Sequence, residues 1–342
     1  MHLKSLLTAL LLVTSATTLA SPVTLADLPA SQQDSAGLRS PKQPNTPPES
    51  LPSDPYARYN YRKVVSSQEL RPQKGRRTII VGDIHGGLVG FNGFLKDIKF
   101  KRGKDRLILV GDIVSKGPYS LEVINKARAL KAKCVRGNHD DKVIRWRGYL
   151  DSLSPSEKKL LEEESKSKSE GDIPNLPNYP SDLILNSEHH KLAMTMNKKQ
   201  YEYLLSCPLI LSLPPELSLN KIPIHVVHAG IDPRHSLDKQ EPWVLVNIRN
   251  IREDGTPLRK AKKGRAWVDQ YNDEQNSRDT DGKPDSLIVY GHNASRNLNV
   301  KPWTVGIDTG CVYGRALTGY VVETNRILSV PCPVQVDENE SD

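Results

Sequence analysis

Two apolar runs, TIIV at 78–81 and LILV at 107–110, each end in Gly-Asp, at Asp83 and Asp112, and His85 follows the first carboxylate by two residues. A third run ends in GNHD, which sets Asn138, His139 and Asp140 side by side. Two later runs, in VVHAG and VYGH, end on His228 and His292. Taken singly, Gly-Asp after a strand is a turn, and a lone His there is a satisfied loop residue. Five strand ends carrying such residues in one chain need a common cause. Ligands in α/β sheets gather beyond the carboxyl ends of strands, so short polar side chains from different strands can meet at one point. Asp, His and Asn without Cys suit divalent ions of hard or borderline character, Mn, Fe or Zn. Gly82, Gly111, Gly137 and Gly291 precede these residues, but ordinary strand-end turns would place glycine there as well.

The elements that must position these residues alternate. RTIIVGD, DRLILVGD and AKCVRGNHD read as strands; LVGFNGFLKDI, YSLEVINKARAL and KVIRWRGYL have the three- and four-residue apolar spacing of helices. This alternation predicts an α/β fold with parallel strands. The near-continuous apolar runs predict strands covered on both faces. Downstream, KKQYEYLLSCPLIL reads as helix into strand, KIPIHVVHAGI and DSLIVYGHNAS as strands, and WTVGIDTG with ALTGYVVE as neighbouring strands of a hairpin-type sheet.

Outside this core the composition changes. Residues 1–20 have Lys4, an apolar segment from Leu6 to Val13 and a Thr18-Leu19-Ala20 end, which reads as a secretory signal peptide. The segment is too short for a comfortable bilayer span, which needs about 20 apolar residues. Residues 21–75 are rich in Pro, Ser, Gln and Asp and read as a linker, with order expected to begin near Arg76. The folded domain then runs over 76–330, with a charged surface insertion at 151–182 that reads as part helix and part disorder, and a tail at 331–342. Secretion permits disulfides among Cys134, Cys207, Cys311 and Cys332, but four cysteines allow three full pairings. Of the sequons at Asn293 and Asn339, the first adjoins His292 and is read as accidental. The 342 residues carry a formal net charge of +8, a lean that favours polyanionic partners without marking a specific nucleic acid.

GD-x-HG at 82–86, GD-x-V at 111–114 and GNHD at 137–140, joined by βα units and followed by His228 and His292, resemble the calcineurin-like metallophosphoesterase superfamily, on its protein-phosphatase and symmetrical diadenosine-tetraphosphatase branch. GDIVSKGPYS, CVRGNHDD and GIDTGCVYG look like the fungal vacuolar endopolyphosphatases of that branch. The resemblance implies a central β-sandwich flanked by helices. It implies that Asp83, His85 and a bridging Asp112 hold one metal, and that Asp112, Asn138, His228 and His292 hold a second. A bridging hydroxide would then attack phosphorus in line. His139 would protonate the leaving group, and Asp140 would either orient that imidazole or cap the next helix.

The chain departs from the resemblance at one informative place. Protein phosphatases of the superfamily carry Asp-Arg after GD-x-V, where this chain has Ser115-Lys116. Serine cannot raise the basicity of the catalytic imidazole, and lysine lacks the bidentate fork of arginine. A serine alkoxide needs strong protonation to leave; a phosphate chain needs far less. The sequence therefore points to cleavage of internal phosphoanhydride bonds of inorganic polyphosphate in the secretory pathway, vacuolar or secreted. A bis(5'-nucleosyl)-tetraphosphatase is the alternative, then a serine/threonine protein phosphatase. Lys116, and Arg265 in the basic run RKAKKGR, are the candidate substrate contacts, with Arg145, Arg147 and Arg315 behind them. The four tryptophans are read as packing residues rather than a base-binding slot.

Overall fold

A computed structural model describes residues 54–66, 69, 75–170, 172, 174–278 and 286–336. The signal-peptide reading of 1–20 and the Asn339 sequon lie outside the described residues.

The strands are β1 (Arg62–Val64), β2 (Thr78–Val81), β3 (Arg106–Leu109), β4 (Lys133–Cys134), β5 (Ile210–Leu213), β6 (Ile224–Val226), β7 (Asn250–Ile251), β8 (Pro257–Leu258), β9 (Arg265–Ala266), β10 (Leu287–Tyr290), β11 (Asn299–Val300), β12 (Thr304–Gly306), β13 (Ala316–Val321) and β14 (Arg326–Pro331). The helices are α1 (Leu88–Asp97), α2 (Ser120–Ala129), α3 (Asn138–Ser152), α4 (Pro155–Ser167), α5 (Glu188–Thr195), α6 (Lys198–Leu205), α7 (Pro242–Asn247) and α8 (Trp267–Arg278). One sheet has the order β14-β13-β2-β3-β4, the other β1-β5-β6-β10-β12-β11, and a small third sheet has β8-β7-β9. Strands β2, β3 and β4 are mutually parallel, as are β6, β10 and β12.

The two large sheets form the expected sandwich. Ile80, Ile108 and Val135 of one meet Leu211, Val226, Val289 and Val305 of the other. The alternate residues of the same strands, Ile79, Val81, Leu107 and Leu109, face outward onto Phe91, Phe94, Val123 and Ile124 of α1 and α2. Side chains alternate across a strand, and here both faces are buried, which accounts for the unbroken apolar runs. On the far side Ile288 and Tyr290 pack against α7 and against Trp267 and Tyr271 of α8. Trp146 and Trp267 are fully buried core residues.

Three expectations need correction. Order does not begin at Arg76: β1 adds a parallel edge strand to β5, Ala57 is buried, and the Arg136 guanidinium donates to the Ala57 carbonyl at 2.6 Å. This strand has three exposed residues and no apolar pattern, so only its tertiary partners reveal it. The supposed hairpin of WTVGIDTG and ALTGYVVE is divided between sheets: β12 pairs with β10, whereas β13 pairs with β2 and β14. The 151–182 insertion is largely ordered. Its helix α4 is capped by Ser154 and carries ion pairs one turn apart, such as Lys166 with Glu162 at 2.8 Å. Leu161, Leu176 and Leu183 anchor the segment in the core.

Both disulfides are formed, Cys134–Cys207 and Cys311–Cys332. The first ties β4 of one sheet to the segment entering β5 of the other and closes a loop with sequence separation 73. Such a loop restricts the unfolded chain substantially, so Cys134→Ser/Cys207→Ser should lose about 2–5 kcal/mol of stability. Urea unfolding under oxidising conditions checks this; an unchanged midpoint contradicts it.

Candidate metal centre

The strand ends converge. His85 and Asp112 follow β2 and β3, Asn138 and His139 open α3 after β4, and His228 and His292 follow β6 and β10. One donor atom each from His85, Asp112 and His139 lies within 4.8 Å of the others, and so does one each from Asp112, His228 and His292. Asp112 belongs to both groups. Its Oδ2 is 3.4 Å from Nε2 of His85 and 3.4 Å from Nε2 of His228, and Asn138 Oδ1 is 3.0 Å from the same His228 nitrogen. Donors on one ion of ~2.1 Å bond length lie about 3 Å apart, so these spacings suit shared coordination.

Second contacts fix the rings. His228 Nδ1 donates to the Val110 carbonyl at 2.9 Å, which leaves Nε2 for the cluster. His85 Nδ1 faces the Val114 carbonyl at 3.3 Å, and His292 Nε2 faces the Asn247 carbonyl at 3.2 Å. Metal-bound imidazoles are held in this way, by the nitrogen the metal does not use. The backbone is strained where it delivers these groups: His85, Asp112, Ser115, Lys116 and His292 all have φ between 46° and 76°. Non-glycine residues rarely take such angles, and they concentrate at functional sites. Two glycines are required by close approach. A Cβ on Gly137 would lie 2.2 Å from Asp112 Oδ1, and one on Gly291 would lie 2.0 Å from Asp83 Oδ1.

The electrostatics fit a cation. Burial, then the neighbouring Asp308 and Asp112 charges, hold Asp83 well above the usual carboxylate range, and burial raises Asp308 too. Burial lowers His292 well below its ordinary value and, with Lys116, lowers His85 to about 3. Burial also opposes charge on His228, but Asp112 and then Asp83 overcome it and raise that ring to about 9. Buried carboxyls short of counter-charge beside neutral imidazoles fit divalent ions with oxygen and nitrogen preference. At neutral pH His228 is protonated, and a metal ligand must be neutral. Metal uptake should therefore expel a proton, with affinity rising as pH climbs to about 9. Calorimetry in buffers of different protonation enthalpy should detect that proton; its absence would contradict the assignment.

Asp83, Asp140, Arg265, Arg145 and Arg147 each have defined partners. Asp83 lies outside both three-residue groups, its carboxylate accepting the His292 N–H at 3.0 Å. Asp140 does not touch the His139 ring. Its Oδ2 accepts from Gly137 N–H at 3.0 Å and its Oδ1 from Ile113 N–H at 3.0 Å, so it caps α3 and pins the loop carrying Asp112. Arg265, exposed on β9, pairs with Asp273. Arg249 and Arg259, rather than Arg265, act electrostatically on His292. The Arg249 guanidinium donates to the His292 carbonyl at 3.1 Å, and burial, then Arg259, lower it to about 10. Arg145 and Arg147 are held by Asp182 and Asp151. Lys116 Nζ lies 2.8 Å from the Tyr313 hydroxyl and 3.4 Å from His85 Nε2.

Sequence reasoning missed Glu188 and His189, from the first turn of α5. His189 Nε2 is 2.9 Å from His139 Nδ1, and Glu188 Oε2 accepts the Ser115 hydroxyl at 2.6 Å. Only the SEHH run at 187–190 could have drawn attention to them.

Residues 76–313 match the profile of the calcineurin-like phosphoesterases. The chain belongs to that family. Its members use divalent metal ions, and this calcineurin-like phosphoesterase is a metal-dependent phosphohydrolase. It is 26% identical over 324 residues to a symmetrical bis(5'-nucleosyl)-tetraphosphatase of Coxiella burnetii, with 79% of this chain and 97% of the relative covered. It is 30% identical over 270 residues to an asymmetrical bis(5'-nucleosyl)-tetraphosphatase of Halalkalibacterium halodurans, covering 74% and 92%. A crystal structure of a provisionally assigned diadenosine tetraphosphatase superposes with a TM-score of 0.57 at 27% identity, covering 80% of this chain and 99% of that one.

Proposed function

We propose that this phosphoesterase cleaves internal phosphoanhydride bonds of inorganic polyphosphate. The observation that carries the reading is the positive charge beside the ligand cluster: Lys116 Nζ lies 3.4 Å from His85 Nε2, and the Arg249 guanidinium sits on the His292 carbonyl. Burial opposes the Lys116 charge, but Tyr313, Asp112 and Asp308 hold its pKa above the ordinary lysine value. A repeating polyanion meets such cations whichever phosphate occupies the centre. A dinucleotide hydrolase needs surfaces for two bases, and Trp146 and Trp267, as core residues, cannot supply them.

Asp112, Asn138, His228, His292, His85 and, at the edge, Asp83 would hold two divalent ions, Mn, Zn or Fe. Such ions supply Lewis acidity toward phosphate oxygens and lower the pKa of water. The remaining work falls to the chain. Lys116 and Arg249 hold the substrate against the cluster. His139 donates a proton to the departing phosphate oxygen, a contribution of about 10²–10⁴-fold for a well-placed acid. Two disulfides support residence in an oxidising compartment, the secretory pathway and its vacuolar or secreted end points.

The bis(5'-nucleosyl)-tetraphosphatase reading is kept second because relatives bear that name. Both substrates break a phosphoanhydride, which suits Ser115 where a strongly assisted acid would carry a carboxylate. Incubation with manganese and, separately, long-chain polyphosphate, diadenosine tetraphosphate and a phosphopeptide decides between them. Mid-length polyphosphate fragments support the proposal; adenosine diphosphate from the dinucleotide alone supports the alternative; phosphate from the peptide alone overturns both. Lys116→Ala should raise KM for polyphosphate by about tenfold at low salt, with kcat changed much less and a flatter salt dependence. An unchanged KM at every salt concentration removes Lys116 from the substrate path.

A further inference from the structure

Away from the donor cluster, at the upstream end of β4, the chain forms a cleft of about 480 Å³. Its walls come from both large sheets and two helices: β4, β1 and β5, the end of α2 and the start of α6. The Cys134–Cys207 disulfide ties the β4 wall to the segment that follows α6. Among the described residues, five cations line the cleft, Lys63, Arg128, Lys131, Lys133 and Lys199, against one carboxylate, Glu202. Lys133 pairs with Glu69, and Glu202 lies 3.8 Å from Lys198. The other four cations form no ion pair with any described carboxylate.

Helix stability explains one of these cations and not the rest. Arg128 stands in the last turn of α2, where the dipole favours positive charge. Lys199 stands in the first turn of α6, where the dipole disfavours it, and that turn holds no acidic residue. Lys131 takes φ 55°, an angle more usual for glycine beyond a helix end. Lys63 and Lys133 come from strands. Gathering such charges from separate elements costs free energy that a bound anion relieves. The other lining residues say which anion fits. Surfaces for single-stranded nucleic acid set aromatic faces between their cations. Here the one aromatic among the described lining residues is Tyr203, whose hydroxyl donates to the Ala132 carbonyl at 3.0 Å. Charge without stacking faces suits phosphates that carry no bases.

We propose that this cleft is a second phosphate-chain site, which holds a distal stretch of polyphosphate while another stretch lies at the metal cluster. The proposal rests on the polyphosphate reading and deepens it. Lys133 at the cleft and Asn138 at the cluster are five residues apart in sequence, so their Cα atoms lie within about 18 Å of each other. A chain long enough to reach both enters the second site intramolecularly and gains affinity that a short phosphate compound lacks. The cleft therefore selects for chain length, whereas the metal cluster recognises the bond that is cut.

Two measurements on the full-length protein test it. In the manganese-loaded enzyme, Lys131→Glu/Lys199→Glu should raise KM for long-chain polyphosphate about tenfold at low salt, with kcat little changed. Both constants for p-nitrophenyl phosphate, too small to reach the cleft from the metals, should stay at wild-type values, which also shows that the variant folds. Lys158→Glu/Lys159→Glu makes the same change in net charge on the exposed face of α4 and should move the polyphosphate KM by less than about twofold. No rise in the first pair, or an equal rise in both, overturns the proposal. The second measurement locates the chain without turnover. In Asp112→Asn protein, which leaves the substrate uncut, long-chain polyphosphate should slow acetylation of Lys131 and Lys199 by acetic anhydride at least about tenfold, read by peptide mass, and tripolyphosphate far less. Lysines left open, or RNA protecting them as well as polyphosphate at equal phosphate concentration, overturn it. If the wild-type enzyme does not cut polyphosphate, the polyphosphate reading fails and the second site falls with it. If it cuts polyphosphate while KM and acetylation ignore the cleft, the second site alone is wrong.

Discussion

Asp112→Asn should leave a folded protein that loses its metal and turns over substrate at less than about 10⁻³ of the wild-type rate. The side chain is nearly isosteric, and its oxygen can still accept the His139 N–H that Asp112 Oδ1 takes at 2.9 Å. What disappears is the charge shared by the two donor groups. Asp112 stands 3.4 Å from His85 and 3.4 Å from His228, and both interactions draw on its negative charge. Burial opposes ionisation of Asp112, yet His228, His139 and His85 together hold its pKa well below the ordinary range. An uncharged amide offers neither ion a bridging anion, and His228 loses the partner that raised it. Elemental analysis after dialysis should find metal depleted, and kcat should fall in parallel. Wild-type metal content with near wild-type turnover would remove Asp112 from the centre of the site.

His139→Gln separates chemistry from metal binding. Metal content should stay close to wild type, because Asn138, His228, His292 and Asp112 remain. Turnover of substrates with poor leaving groups should fall by about 10²–10⁴-fold, the range of a positioned general acid. Substrates whose leaving groups need little protonation should lose far less. The His139 ring stands edge-on to His85 with centroids 4.9 Å apart, so it borders the donor cluster. A variant that lost metal along with activity would identify His139 as a ligand instead, in the donor group it shares with His85 and Asp112.

The parts legible in the sequence share a physical reason. Asp83, His85, Asp112, Asn138, His139, His228 and His292 each stand within a few residues of an apolar strand, and a strand buried on both faces announces itself as an unbroken run. The sandwich followed from those runs and from the resemblance. The missed parts have no local signature. Arg62–Val64 is a strand only because Ile210–Ser212 offers it an edge. Glu188 and His189 come from an eight-residue helix after a charged insertion, and nothing in their neighbourhood marks them as facing the site. The basic run around Arg265 misled because charge density resembles a phosphate site; in the fold Arg265 turns to Asp273, while Arg249, outside that run in the stretch WVLVNIRNI, reaches the His292 carbonyl. Of the two roles the sequence left open for Asp140, its carboxylate takes the helix cap, because adjacent residues on a helix point in different directions.

Manganese soaked into crystals of the protein and located by anomalous scattering tests the central claim most directly. The account predicts two peaks about 3.5–4 Å apart, bridged by Asp112, one against His85 and the other among Asn138, His228 and His292. A single peak, or ions bound away from Asp112, would contradict it.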